Sequence, residues 1–268
     1  MVTGLALIVL FVVTLKLSMP WIEDYQTYKP MAEFEVHPSQ ENLTFEEIDF
    51  ISTQGTRIYG WYFPIPGAEK TLVLFHGNAG NISHNLFFVK LFQALTPVNV
   101  YLFDYRGYGK NGGRSCTPGI LRDAEEAILQ IKEKLKSQDQ KLIFFGRSLG
   151  GVLAIETAAR VPCDGLIVEN TFLSFREIAK TFYPFIPLFL LTTDRLDAQD
   201  RIGKVTCPVL VVHSTLDHLI PFHHGERLFE AAKEPKEFYP VQGAGHDDAV
   251  DIGGENYLTV LKRFIESV

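Results

Sequence analysis

Residues 141–151 read KLIFFGRSLGG. KLIFF is the continuous apolar run of a strand buried on both faces. Gly146-Arg147-Ser148-Leu149-Gly150 matches G-x-S-x-G, and LGGVLAIETAAR (149–160) is a small-residue helix that can pack close to a sheet. In a strand-turn-helix context this motif holds a serine hydroxyl on a strained bend, so its neighbours must be nearly free of side chains. Gly146 and Gly150 meet that demand, and Gly151 relaxes it further. The helix N-terminus behind Ser148 favours developing negative charge. The plainer alternative is a glycine-rich helix start with Ser148 as N-cap; the strand just before it weighs against that.

Outward from this unit the chain alternates strand-like and helix-like runs. TLVLF (71–75), VNVYLFDY (98–105), GLIVEN (165–170), PVLVVH (208–213) and KEFYPVQ (236–242) read as strands. Residues 82–95, 119–136, 222–233 and 255–267 read as helices, and 46–52 with 56–63 as a hairpin-like pair around Gln54-Gly55. The alternation predicts an α/β fold, a mostly parallel central sheet with helices on both faces, over residues 40–268. One stretch, about 171–204, is longer than a crossover requires. Its centre, TFYPFIPLFLLTT (181–193), is apolar, and Pro184 and Pro187 forbid one straight helix. It reads as a short lid insert or a membrane-contacting surface, against the blander alternative that it covers the sheet edge.

A serine nucleophile needs a base, and the base an orienting acid. On strand-turn-helix scaffolds the chain order is Ser, acid, His. Asp217 follows strand 208–213, and His246 follows strand 236–242 in GAGHDD. Both fall at C-terminal strand ends, the edge at which α/β sheets bind ligands. Rival acids Asp194 and Asp197 lie in the insert, and Asp247 and Asp248 read as capping or solvating the turn after His246. Of the rival histidines, His213 reads as a strand-end residue; His218, His223 and His224 read as loop or surface positions. Two backbone N–H groups must also face the developing oxyanion. Leu149 supplies one. The other comes from the loop HGNAGN (76–81), with Asn78 preferred over Ala79; His76 reads as a brace for that loop. Phe182, Phe185, Ile186, Leu188, Phe189 and Leu190 of the insert are the candidate acyl-binding residues.

HGNAGN, DYRGYGKNGG (104–113), GRSLGG, the Asp217 segment and GAGHDD together resemble the α/β-hydrolase superfamily over roughly residues 45–266. More narrowly they resemble its small membrane-anchored serine hydrolases, the bud-emergence-related and protein-depalmitoylase-like branch. The resemblance implies a Ser148–Asp217–His246 triad, an oxyanion hole at Asn78 and Leu149, and structural roles for Asp104, Arg106 and Gly107. The expected reaction is hydrolysis of a lipid-like acyl ester or thioester through an acyl-enzyme, with neither metal nor organic cofactor. A peptidase or amidase uses the same triad, whereas a silent scaffold would need none of these residues. No Cys precedes Cys116, so the acylated Cys-rich N-terminus of the animal palmitoyl-removing relatives has no counterpart.

Residues 2–15, VTGLALIVLFVVTL, carry no charge. Extended to Trp21, with Lys16 able to snorkel, the run reaches the roughly 20 residues a membrane span needs. Residues 1–22 therefore read as a single uncleaved membrane anchor. A cleaved signal lacks its basic start and small-x-small site, and a packed soluble helix is the remaining alternative. Lys16 on the C-terminal side leans to a cytoplasmic catalytic domain. With Lys plus Arg at 25 against 32 Asp plus Glu, the net charge of −7 argues against nucleic acid as a partner. The three Cys make neither a disulfide framework nor a C-x-x-C pair.

Overall fold

The computed structural model describes residues 2–136, 139–193 and 195–268. In chain order its elements are α1 (Val2–Thr27), β1 (Lys29–Pro30), β2 (Glu46–Ile51), β3 (Arg57–Phe63), β4 (Lys70–Phe75), β5 (Ala79–Gly80), α2 (Leu86–Leu95), β6 (Asn99–Phe103), α3 (Thr117–Leu135) and β7 (Lys141–Arg147). Then follow α4 (Leu149–Ala158), β8 (Gly165–Glu169), α5 (Phe175–Phe182), α6 (Ala198–Ile202), β9 (Val209–Ser214), α7 (His223–Ala231), β10 (Lys236–Val241) and α8 (Ala249–Ser267).

Eight strands form one sheet in the order β10-β9-β8-β7-β4-β6-β3-β2. Neighbours are parallel from β10 through β6, and β3 is antiparallel to both β6 and β2. The chain passes from β4 to β6 on one side and returns to β7 on the other. The sheet's topological switch therefore lies between β4 and β7, where a crevice opens at the C-terminal strand ends. Ser148 and the loop after β4 sit there. α3, α4, α6 and α7 contribute to the core on one face, through residues such as Ile128, Val152, Ile202 and Leu228. On the other face α2 and α8 supply Val89, Phe92, Tyr257 and Leu261. Because both faces are covered, β4, β6, β7 and β9 are apolar at successive positions rather than alternate ones.

Three stretches depart from the sequence reading. The helix expected over 82–95 starts as a 3₁₀ turn at Ile82–Asn85, capped by the Asn81 side chain accepting from Ser83 N, before α2 begins. The last helix begins at Ala249 rather than 255, broken at Gly254, whose φ of 51° needs a glycine. The N-terminal helix runs to Thr27 rather than ending at residue 22, and its last turns dock on the sheet domain. Tyr28 joins the core, and β1 pairs with β5 in the loop after β4. The insert is closed at its base by a bridge between Ser174 and Asp197.

Candidate active site

Four loops meet at the C-terminal edge of the sheet. The first is the bend after β7. Ser148 stands at φ 53°, ψ −122°, a strained conformation for a residue with a side chain. A Cβ on Gly146 would lie 2.3 Å from Gly150 O, one on Gly150 2.0 Å from Phe75 O, and one on Gly151 1.9 Å from Thr171 Oγ1. Gly146 and Gly150 are thus fixed by close approach of backbone to backbone, Gly151 by the Thr171 side chain, and Gly150 seats α4 against the end of β4. Leu149 is the first residue of α4, so its N–H belongs to the set with no partner inside the helix.

The second is the loop after β4. His76 is buried, stacks on Tyr105 with ring centroids 4.0 Å apart, and donates from Nδ1 to Gly77 O at 2.8 Å. Burial, only partly offset by that carbonyl, lowers its pKa to about 4. It braces the loop. Asn78 O accepts from Lys29 N at 2.8 Å and from Tyr108 Oη at 2.7 Å, and Asn78 Nδ2 donates to Thr27 O at 3.1 Å. The loop is therefore held by the end of α1 at Thr27, by Lys29 just after it and by Tyr108.

The third and fourth loops follow β9 and β10. Asp217 Oδ1 accepts from Leu219 N at 2.8 Å and Ile220 N at 2.7 Å, and its Oδ2 accepts from His246 Nδ1 at 2.7 Å. Burial by itself would raise the Asp217 pKa, but the His246 bond and the Ile220 amide outweigh it and hold the carboxyl below its ordinary range. Ser148, His246, Asn78 and Ala79 line one cavity of about 310 Å³. No hydrogen bond joins Ser148 Oγ to His246 among the described residues; the two side chains share the cavity wall.

The family model described as alpha/beta hydrolase fold matches residues 70–201. An uncharacterized protein of Mycobacterium tuberculosis is 35% identical over 218 residues, covering 80% of this chain and 77% of its own. The human alpha/beta hydrolase domain-containing protein 17B is 33% identical over 205 residues, covering 75% of this chain and 67% of that protein. This chain belongs to the α/β-hydrolase family. In fold, this α/β-hydrolase is similar to the Pyrococcus furiosus esterase Pf2001, with a TM-score of 0.75 at 15% identity, over 90% of this chain and 98% of that one. Family membership supports a hydrolase and an α/β-hydrolase fold.

Other expected residues of this α/β-hydrolase fall as follows. Asp104 is buried and accepts from Ile82 N at 2.9 Å, Arg106 forms a two-point pair with Asp123 at 2.7 Å, and Gly107 has φ 81°. Asp197 caps α6, its side chain accepting from Asp200 N; Asp194 lies outside the described residues. Asp248 accepts from Gly245 N at 2.6 Å and Asp247 is exposed. His213 is buried in β9 and donates from Nε2 to Ile220 O at 2.8 Å, so it steadies the Asp217 turn. His224 is a correction. It is fully buried rather than a loop or surface residue, because the first turn of α7 packs under the insert, where His224 Nδ1 accepts from Leu173 N at 3.2 Å. The insert needs a second correction. Phe182 and Leu188 reach a cavity beside Ser148. Phe185, Ile186, Phe189 and Leu190 do not line it; Phe185, Ile186 and Leu190 face outward, Phe185 almost wholly exposed at 97%. Pro184 and Pro187 break the insert after α5 and turn the intervening side chains away.

Two residues that sequence reasoning missed hold the His246 loop. Asn170, at φ 46°, donates from Nδ2 to His246 O at 2.8 Å and accepts on Oδ1 from Ser214 N at 2.8 Å. Arg147 donates to His246 O at 3.2 Å and to buried Glu169 at 2.5 Å, and Glu169 also accepts from Tyr257 Oη. Arg147 occupies an unconstrained position of G-x-S-x-G, so the motif gave no signal for it.

Proposed function

We propose that this protein is a serine hydrolase that cleaves a lipid-like acyl ester or thioester at a membrane. The observation that carries the reading is the strained Ser148, sharing a cavity with a histidine whose Nδ1 donates to a buried carboxylate at 2.7 Å. Asp217, locked by two backbone amides, fixes the His246 tautomer with its proton on Nδ1 and leaves Nε2 free to act as base. The Ser148 proton passes to His246 Nε2 as Oγ bonds to the acyl carbon. The oxyanion is met by the N–H groups of Leu149 and of Asn78. The carbon–leaving-group bond breaks as His246 returns the proton to the departing oxygen or sulfur. Water, deprotonated by the same imidazole, then cleaves the acyl-enzyme and restores Ser148.

The insert supplies apolar contact for the acyl group through Phe182 and Leu188. Its outward Phe185, Ile186 and Leu190 join α1, a helix long and apolar enough to cross a membrane, as membrane-facing surface. The domain carried by that anchor covers residues 40–268, with the insert at about 171–204 as its lid. The test is covalent. A fluorophosphonate should label the wild-type chain at Ser148, and Ser148→Ala should remove both the label and at least about 10³-fold of ester turnover while the fold survives. Turnover retained by Ser148→Ala would remove the nucleophile assignment.

A further inference from the structure

A second cavity, of about 530 Å³, shares Ser148 and Asn78 with the first. One wall is the insert, with Phe175, Ile178, Phe182 and Leu188. The other is the N-terminal helix, which presents Met19 and Ile22. Membrane anchoring alone does not require this helix to touch the domain at all. It is nevertheless held by buried charge. Arg195 of the insert donates to Pro20 O at 2.7 Å and Glu23 Oε2 at 3.0 Å, and pairs with Asp24 at 3.1 Å. Thr193 N donates to Glu23 Oε1 at 2.7 Å, and Thr117 N to Asp24 Oδ1 at 3.1 Å. Buried carboxylates are costly unless paired. Here their pairing fixes the height and rotation of α1 against the insert.

We infer that the last turns of α1 form a wall of the acyl-chain site, and that the chain enters between α1 and the insert from the bilayer side. The inference rests on the serine-hydrolase reading and specifies its substrate class: a long-chain acyl ester or thioester resident in the membrane. The direction follows from the ends of the helix. Thr27 is tied to Asn78 beside Ser148, while Met19 lies eight residues nearer the uncharged run 2–15. At 1.5 Å per residue that wall is roughly 12 Å long, the span of roughly ten extended methylenes. A longer chain would keep its end in lipid while its carbonyl reaches Ser148. Such a site favours a long acyl chain over a short one through apolar burial, at about 0.8 kcal/mol for each methylene fully buried.

The test uses the full chain in phosphatidylcholine vesicles and two probes, hexadecyl and ethyl fluorophosphonate, scored as the ratio of their labelling rates at Ser148. Ile22→Trp and Met19→Trp, which fill the cavity from the α1 side, should each lower the hexadecyl-to-ethyl ratio at least tenfold. Arg195→Ala, which frees α1 from the insert, should lower it too. Tyr25→Ala, on an exposed part of the same helix, should leave the ratio as in wild type. Thermal melts identify which variants fold. An unchanged ratio in folded Ile22→Trp and Met19→Trp, or an equal fall in Tyr25→Ala, would overturn the inference. Absence of labelling by both probes in the wild-type chain would instead defeat the serine-hydrolase reading, and this inference with it.

Discussion

Asp217→Asn isolates the tautomer logic of the site with the least disturbance of shape. Asp217 Oδ1 receives two amides, Leu219 N at 2.8 Å and Ile220 N at 2.7 Å. An asparagine must therefore place its carbonyl oxygen there. The flipped amide would set an NH₂ against both N–H groups and leave them unpaired, at about 1–3 kcal/mol each. With the oxygen so held, Nδ2 points at His246 Nδ1 and donates to it. His246 must then carry its proton on Nε2 and, under the proposed mechanism, can no longer accept the serine proton. The loss expected from an inverted tautomer is about 10⁴-fold in turnover, or about 5 kcal/mol of transition-state stabilisation. The assay is turnover of a water-soluble short-chain ester, alongside the fluorophosphonate labelling rate. Nitrogen-15 shifts of His246 should report a proton on Nε2 in place of Nδ1. A folded Asp217→Asn enzyme keeping more than a tenth of wild-type turnover would refute the reasoning, and so would an unchanged tautomer.

Gly150→Ala drives a methyl group to 2.0 Å from Phe75 O and 2.6 Å from His76 O. It should lower stability by about 1–3 kcal/mol and displace the loop that carries Asn78; a thermal melt and ester turnover at wild-type values would contradict the packing argument. Asn170→Ala leaves buried Ser214 N and one donor to His246 O unreplaced at a left-handed position. A stability loss of about 2 kcal/mol, with a larger change in kcat than in KM, is expected from denaturant melts and steady-state kinetics. The pKa of His224 is lowered to about 4, by burial first and then by His223, His213 and Arg227. The unfolded chain takes up that proton near pH 6.5 while the native chain resists it until about pH 4, so the stabilisation present above 6.5 is lost as pH falls across that window. Relative to His224→Leu, wild type should lose up to about 1.4 kcal/mol per pH unit there. Urea melts at pH 7 and pH 5 measure this, and a constant gap between the two proteins would show that His224 titrates natively.

The α/β fold was legible because its signals are local. A buried parallel strand is an uninterrupted apolar run, and the strained bend at Ser148 demands Gly146 and Gly150 within two residues of it. Asp217 and His246 were legible through chain order, since each directly follows a strand whose C-terminal end the parallel sheet brings to one edge. His224 and the outward Phe185, Ile186 and Leu190 were misread. A histidine at a helix start carries no mark of what packs over it, and an apolar run does not say which of its side chains a proline break turns outward.

The sequence by itself determined the elements, their alternation and the residues delivered to the C-terminal edge of the sheet, because hydrophobic period and glycine sterics act over a few neighbouring residues. Only the tertiary structure decided what holds and encloses that edge. Glu23 and Arg195 are 172 positions apart, and Arg147 and His246 are 99 apart. The attraction between such groups depends on a separation of a few ångströms that exists only once the sheet has formed and α1 has come to rest against the insert.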